Sequence, residues 1–123
     1  MATTYDYYQD ADILEVFFTE ESATAVVSLT SDITLHFRPE NGTAVSLIFN
    51  NFSRLVQPDE YGPRTFALQT RVWPESWRAV MRHILAAPPV SEWITVFTYH
   101  PPRARDTIPL AAVKQPAALV QAA

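Results

Sequence analysis

Bulky apolar residues alternate with polar ones through much of the first half of the chain. Asp12 to Phe18 puts Leu14, Val16 and Phe18 on one face of an extended segment, and Ile13, Glu15 and Phe17 on the other. Ala23 to Leu29 gives a face of Ala25, Val27 and Leu29. Ile33 to Arg38 alternates cleanly, with Ile33, Leu35 and Phe37 inward and Thr34, His36 and Arg38 outward. Ala44 to Phe49 aligns Val45, Leu47 and Phe49. A period of two over such short runs predicts half-buried antiparallel strands. Pro39-Glu40-Asn41-Gly42 separates two of them, and Asn-Gly supplies the positive φ that a tight hairpin needs. Thr30-Ser31-Asp32 and Thr19-Glu20-Glu21-Ser22 read as two more turns, so the four strands are expected to run as a meander.

The period changes further on. Phe66 to Val72 reads as a fifth strand, after a loop rich in Pro, Asp and Gly. Trp77, Val80, Met81, Ile84 and Leu85 then recur at helical spacing as one apolar stripe. Pro74 fits the first helical position and Pro88-Pro89 ends the helix. Glu92 to His100 predicts a sixth strand. Thr107 to Val113 predicts a seventh, which Pro109 should confine to an edge or a loop. The expected fold class is α+β: an antiparallel β-meander of five to seven strands with one amphipathic helix packed on the sheet. One domain over 1–123 follows, with strands over 7–55, a strand-helix-strand extension over 64–114 and an Ala-rich tail over 115–123.

Composition narrows the chemistry. The absence of cysteine excludes disulfides, thiol nucleophiles, zinc fingers and iron–sulfur ligation. No run approaches the roughly 18 apolar residues of a membrane span. The start of the chain lacks the basic and apolar stretches of a signal peptide, so a cytoplasmic location and no membrane partner are expected. A net charge of −4 argues against a nucleic-acid partner. The charge is split: residues 1–60 hold ten acids and two bases, whereas residues 61–123 hold three acids and seven bases. The two halves either neutralise each other or present their charge to a partner.

Residues 7–55 resemble the small bacterial family catalogued as domain of unknown function 2283. The resemblance runs through Ala11-Asp12-Ile13-Leu14-Glu15-Val16-Phe17-Phe18, Asp32-Ile33-Thr34-Leu35, Glu40-Asn41-Gly42, Val45-Ser46-Leu47-Ile48-Phe49 and Asn51-Phe52-Ser53-Arg54, in the family's order and spacing. It implies a small antiparallel β-meander and no known reaction. The family tends to carry a carboxylate where Ile48 stands and often a Tyr where Glu15 stands, so the outer strand face differs here. Some relatives look like one half of a toxin–antitoxin pair.

Catalytic constellations are sparse. Two glycines, Gly42 and Gly62, provide neither a nucleophile elbow nor a phosphate loop. His36, His83 and His100 have no metal-ligand spacing, so no metal and no cofactor is expected. Asp10 and Asp12 form the one carboxylate pair that an acid–base or cation site would use, against the simpler reading of a solvated turn. Arg78 and Arg82 lie one helical turn apart on the exposed flank, either for solubility or as an anion patch. The aromatic residues are plentiful. If the helix covers only one face of the sheet, Ile13, Phe17 and Ile48 lack cover and form a partner surface, unless later strands fold back over them.

The leading expectation is therefore a non-catalytic protein-interaction module, a homo-oligomer or a subunit of a larger assembly. Its partner surface would use Ile13, Phe17, Ile48, Arg78 and Arg82, and its partner would be a protein, either a second copy or a different subunit. The alternatives are an antitoxin-like partner of a small basic toxin, and a small hydrolase or ligand-binding domain built on Asp10, Asp12 and a histidine.

Overall fold

The computed structural model describes residues 3–57, 60, 64–103 and 105–114. The first half supplies strands β1 (Thr4–Tyr8), β2 (Ile13–Phe17), β3 (Ala25–Thr30), β4 (Ile33–Arg38) and β5 (Thr43–Asn50), then a one-turn helix α1 (Phe52–Leu55). The second half supplies β6 (Phe66–Ala67), 3-10 turns at Thr70–Val72 and Glu75–Trp77, helix α2 (Arg78–Ala86), a third 3-10 turn at Val90–Glu92, β7 (Ile94–Tyr99) and β8 (Ile108–Val113). The expected tail over 115–123 lies outside the described residues.

The fold is α+β, and the eight strands among the described residues divide between two antiparallel sheets. The large sheet has the order β1-β2-β5-β4-β3 and the small one the order β6-β8-β7. The meander is confined to β3, β4 and β5, joined by the two expected turns. β2 does not pair with β3. It pairs with β5, Leu14 opposite Phe49 and Val16 opposite Leu47. The segment after β2 is thus no hairpin turn, because it crosses the ends of β5 and β4. Phe18 N donates to Val45 O (2.8 Å) at its start and Thr24 N donates to Phe37 O (3.1 Å) at its end.

Alternation built the core as its period dictates. Leu14, Val16, Leu29, Ile33, Leu35, Phe37, Leu47 and Phe49 are almost wholly enclosed on one face of the large sheet. Helix α2 lays Met81, Ile84 and Leu85 into the same cluster, joined by Val90, Trp93 and Ile94 from the following segment. Trp77 meets the Phe37 ring edge-on at 5.3 Å between centroids. At the β4–β5 turn, Gly42 has φ +69°, which other residues adopt only with strain. Arg38 O accepts the Gly42 N–H at 2.9 Å to close that turn. Pro74 precedes the 3-10 turn that leads into α2, so the helix starts at Arg78 and not at the proline.

Three other expectations change. The segment Phe66–Val72 is strand only at Phe66–Ala67. Leu68 N still donates to Pro109 O (3.0 Å), but Gln69 N then donates to Leu29 O (2.8 Å) and Trp73 Nε1 to Ser28 O (3.1 Å). The chain thus leaves the small sheet to seal the β3 edge of the large one. Secondly, Pro109 lies in β8, the central strand of its sheet. It is tolerated because its carbonyl side faces Leu68, where β6 has already ended, so no bond to β7 is lost. Lastly, Thr4–Tyr8, which lies outside every predicted strand, is an edge strand on β2.

Candidate functional site

Ile13, Phe17 and Ile48 all project from the outer face of the large sheet, as their alternation requires. Each is half-buried, and acidic side chains are interleaved among them. Glu15 lies between Ile13 and Phe17 on β2 and directly opposite Ile48 on β5. Asp6 stands opposite Glu15 on β1, and Ser46 and His36 fill the row beyond Phe17. The acids are dense enough here that Glu15 first, and Asp6 to a lesser degree, raise the Tyr8 phenol above its ordinary value. On this face each apolar side chain is flanked by polar neighbours.

Asp12 belongs to a structural clasp. Its backbone has the left-handed φ of 55°, which Asp tolerates better than most residues. Its carboxylate accepts Ser53 Oγ–H at 2.6 Å, Ser53 N–H at 3.1 Å and Tyr7 O–H at 2.7 Å. It thereby ties β1 and the start of α1 to the β1–β2 turn. These bonds, the Ser53 hydroxyl foremost and Tyr7 next, hold the Asp12 carboxyl below its ordinary value. Asp10 is exposed and takes no part in this clasp. His36 is on the outer sheet face, His83 on exposed helix surface and His100 beyond the end of β7. Among the described residues, no group of three His, Asp or Glu side chains is placed to hold a metal ion.

The small sheet differs from the large one. Register pairs Thr95 with Ala112, Phe97 with Leu110 and Tyr99 with Ile108, while Ala67 faces Leu110 from the other side. Side chains directly opposite share a face, so these seven residues make one surface. None is charged. Phe97 is 39% exposed, Tyr99 49% and Ile108 40%. The opposite face carries Ile94, Ala111, Phe66 and Val113, which pack on the shared core. β7 is an edge strand, and its sequence Ile-Thr-Val-Phe-Thr-Tyr has none of the charges, prolines or bulges that discourage pairing. The signal was present in the sequence: from Trp93 to Tyr99 neither face of the predicted strand holds a charge.

Arg78 and Arg82 are brought to a groove of about 640 Å³ between α2 and the core-facing side of the small sheet. Leu68, Trp73, Leu85, Ile94 and Pro109 form its apolar walls. Lys114, at the end of β8, adds a third cation, and its Nζ also donates to Ser91 O at 2.8 Å. Thr70, Thr98 and Thr107 contribute hydroxyls. Among the described residues no carboxylate lines the groove. Among the described residues the one carboxylate ion pair is remote, Arg38 with Glu40 at 3.1 Å. Arg78 and Arg82 were legible from helical spacing, whereas Lys114 is distant in sequence and only β8 pairing brings it there.

No protein-family model, no curated protein and no solved structure matches this chain, so the arrangement of its own residues carries the functional reading.

Proposed function

We propose that this chain is a non-catalytic protein-interaction module that associates with a second copy of itself through the outer face of the small sheet. The supporting observation is the uncharged surface of Thr95, Phe97, Tyr99, Ile108, Leu110, Ala112 and Ala67, bounded by the edge of β7, which has no strand partner among the described residues. Leaving such a surface in water forgoes the free energy that association recovers. A cytoplasmic setting belongs to the same reading. Among the described residues no helix is long and apolar enough to cross a membrane. The resemblance of residues 7–55 to domain of unknown function 2283 attaches to the large sheet, and this docking surface lies outside it.

Size sets the expected strength. The two six-residue strands β7 and β8 are about 20 Å long and together span about 10 Å, and the two-residue β6 adds little, a face on the order of 200 Å². A standard stable interface buries about 800 Å² per partner. The face therefore accounts for less than half of one, and the rim, including the β7 edge, has to supply the remainder. Association in the micromolar range is expected. Sedimentation equilibrium from about 1 to 200 µM tests this: mass should rise from one protomer to two across that range. A single protomer mass throughout would refute the proposal.

A further inference from the structure

We infer that the groove between α2 and the small sheet is a binding site for an amphipathic organic anion, with an acyl or other apolar body and a carboxylate or phosphate head. This goes beyond self-association, because the groove lies on the opposite side of the small sheet from Phe97 and Tyr99.

Three observations converge. The volume of about 640 Å³ falls within the range of small-molecule sites, which run from about 300 to 1,000 Å³. The walls from Leu68, Trp73, Leu85 and Ile94 suit an apolar body, and their side chains are already fixed by core packing. Trp73 is further held by its Nε1–H bond to Ser28 O, so this wall is formed before any ligand arrives. The third is charge. Arg78, Arg82 and Lys114 line the same groove, and among the described residues no carboxylate lines it and none of the three has an ion-pair partner. Two guanidiniums one helical turn apart can grip one oxyanion from two directions, with the Lys114 ammonium adding a point charge from β8. A neutral apolar ligand would leave these charges unused, and a bare inorganic anion would leave the apolar walls wet. Only a molecule with both parts satisfies the whole lining.

The test is calorimetric titration of the full chain with decanoate and, separately, decyl phosphate, both below micelle formation. Decanol, decyltrimethylammonium and an octa-glutamate peptide serve as comparison probes. Saturable one-to-one binding of at least one anion is expected, about tenfold or more tighter than decanol, and weaker as salt rises. The better of the two anions identifies the head group. R78Q/R82Q should weaken that binding about tenfold or more. A86W should block it by filling the groove from an exposed helix position, with both variants melting as the parent does. The inference fails if decanol binds as well as the anions, if neither anion saturates, or if R78Q/R82Q binds unchanged. Binding of octa-glutamate without decanoate or decyl phosphate would also overturn it, in favour of an acidic protein segment. A lower self-association mass in R78Q/R82Q would assign the groove to a second copy and overturn it too. Failure of the self-association proposal alone leaves all these titrations readable.

Discussion

The two sheets use the same strand chemistry and treat their outer faces in opposite ways. On the large sheet, Ile13, Phe17 and Ile48 are separated by Glu15 and bordered by Asp6, Ser46 and His36. On the small sheet, Phe97, Tyr99, Ile108 and Leu110 adjoin one another with no charge among them. The number of apolar side chains on a face says little about docking. Their contiguity does, because a flanking carboxylate must be desolvated along with the apolar group it borders. By that measure the proposed interaction surface falls in the second half of the chain.

The sharpest way to break this comparison is to truncate one aromatic ring in each sheet. Phe37→Ala removes a fully buried ring from the inner face of the large sheet and should cost about 3–5 kcal/mol in urea unfolding. Phe97→Ala removes a partly exposed ring from the small sheet and should cost less than about 1 kcal/mol, measured at a concentration where the protein is monomeric. Equal costs would mean that the Phe97 face is covered within the protomer, and the docking argument would lose its basis.

A smaller effect sharpens the contrast at the rims. The large sheet is closed at one end by the Asp12 clasp, whereas the small sheet is held by backbone pairing and its packing face. Since the folded protein lowers the Asp12 pKa, its contribution is complete above the ordinary aspartate value. It fades as pH falls from there through the depressed value. Asp12→Asn should flatten this acid limb in thermal melts taken below the ordinary aspartate value. If the substituted protein keeps the parent's acid profile, Asp12 drops out of the account. The Asp12 bond also raises the Tyr7 phenol, so that contribution persists below the ordinary tyrosine value and is lost as pH rises through the raised one.

Much of the fold was legible where one face of a strand is buried. Ile33–Arg38 alternates so cleanly that its predicted and observed ends coincide. The stripe from Trp77 to Leu85 located α2 for the same reason. Pairing order was not legible. The short Thr19–Ser22 connection looks like a hairpin turn, but β2 pairs with β5, Leu14 opposite Phe49 and Val16 opposite Leu47, so the connection crosses two strand ends. Thr4–Tyr8 carries mostly exposed side chains, so its strand character comes from the β2 backbone and has no burial pattern to reveal it. The site divides similarly. Arg78 and Arg82 could be paired from local spacing. Lys114, Trp73 and Leu68 reach the same groove only because the chain leaves β6 to seal β3 and returns through β8. Pro109 argued against β8 by a rule that holds for strands paired fully on both sides, and β6 is too short to make it one.

The central claim is that docking belongs to the small sheet and not the large one. Sedimentation equilibrium of three proteins, the parent, F97E/Y99E and F17E, compares the two faces directly. The parent and F17E should form the same concentration-dependent dimer, and F97E/Y99E should stay monomeric with an unchanged melting profile. Loss of the dimer in F17E, with F97E/Y99E unaffected, would contradict it.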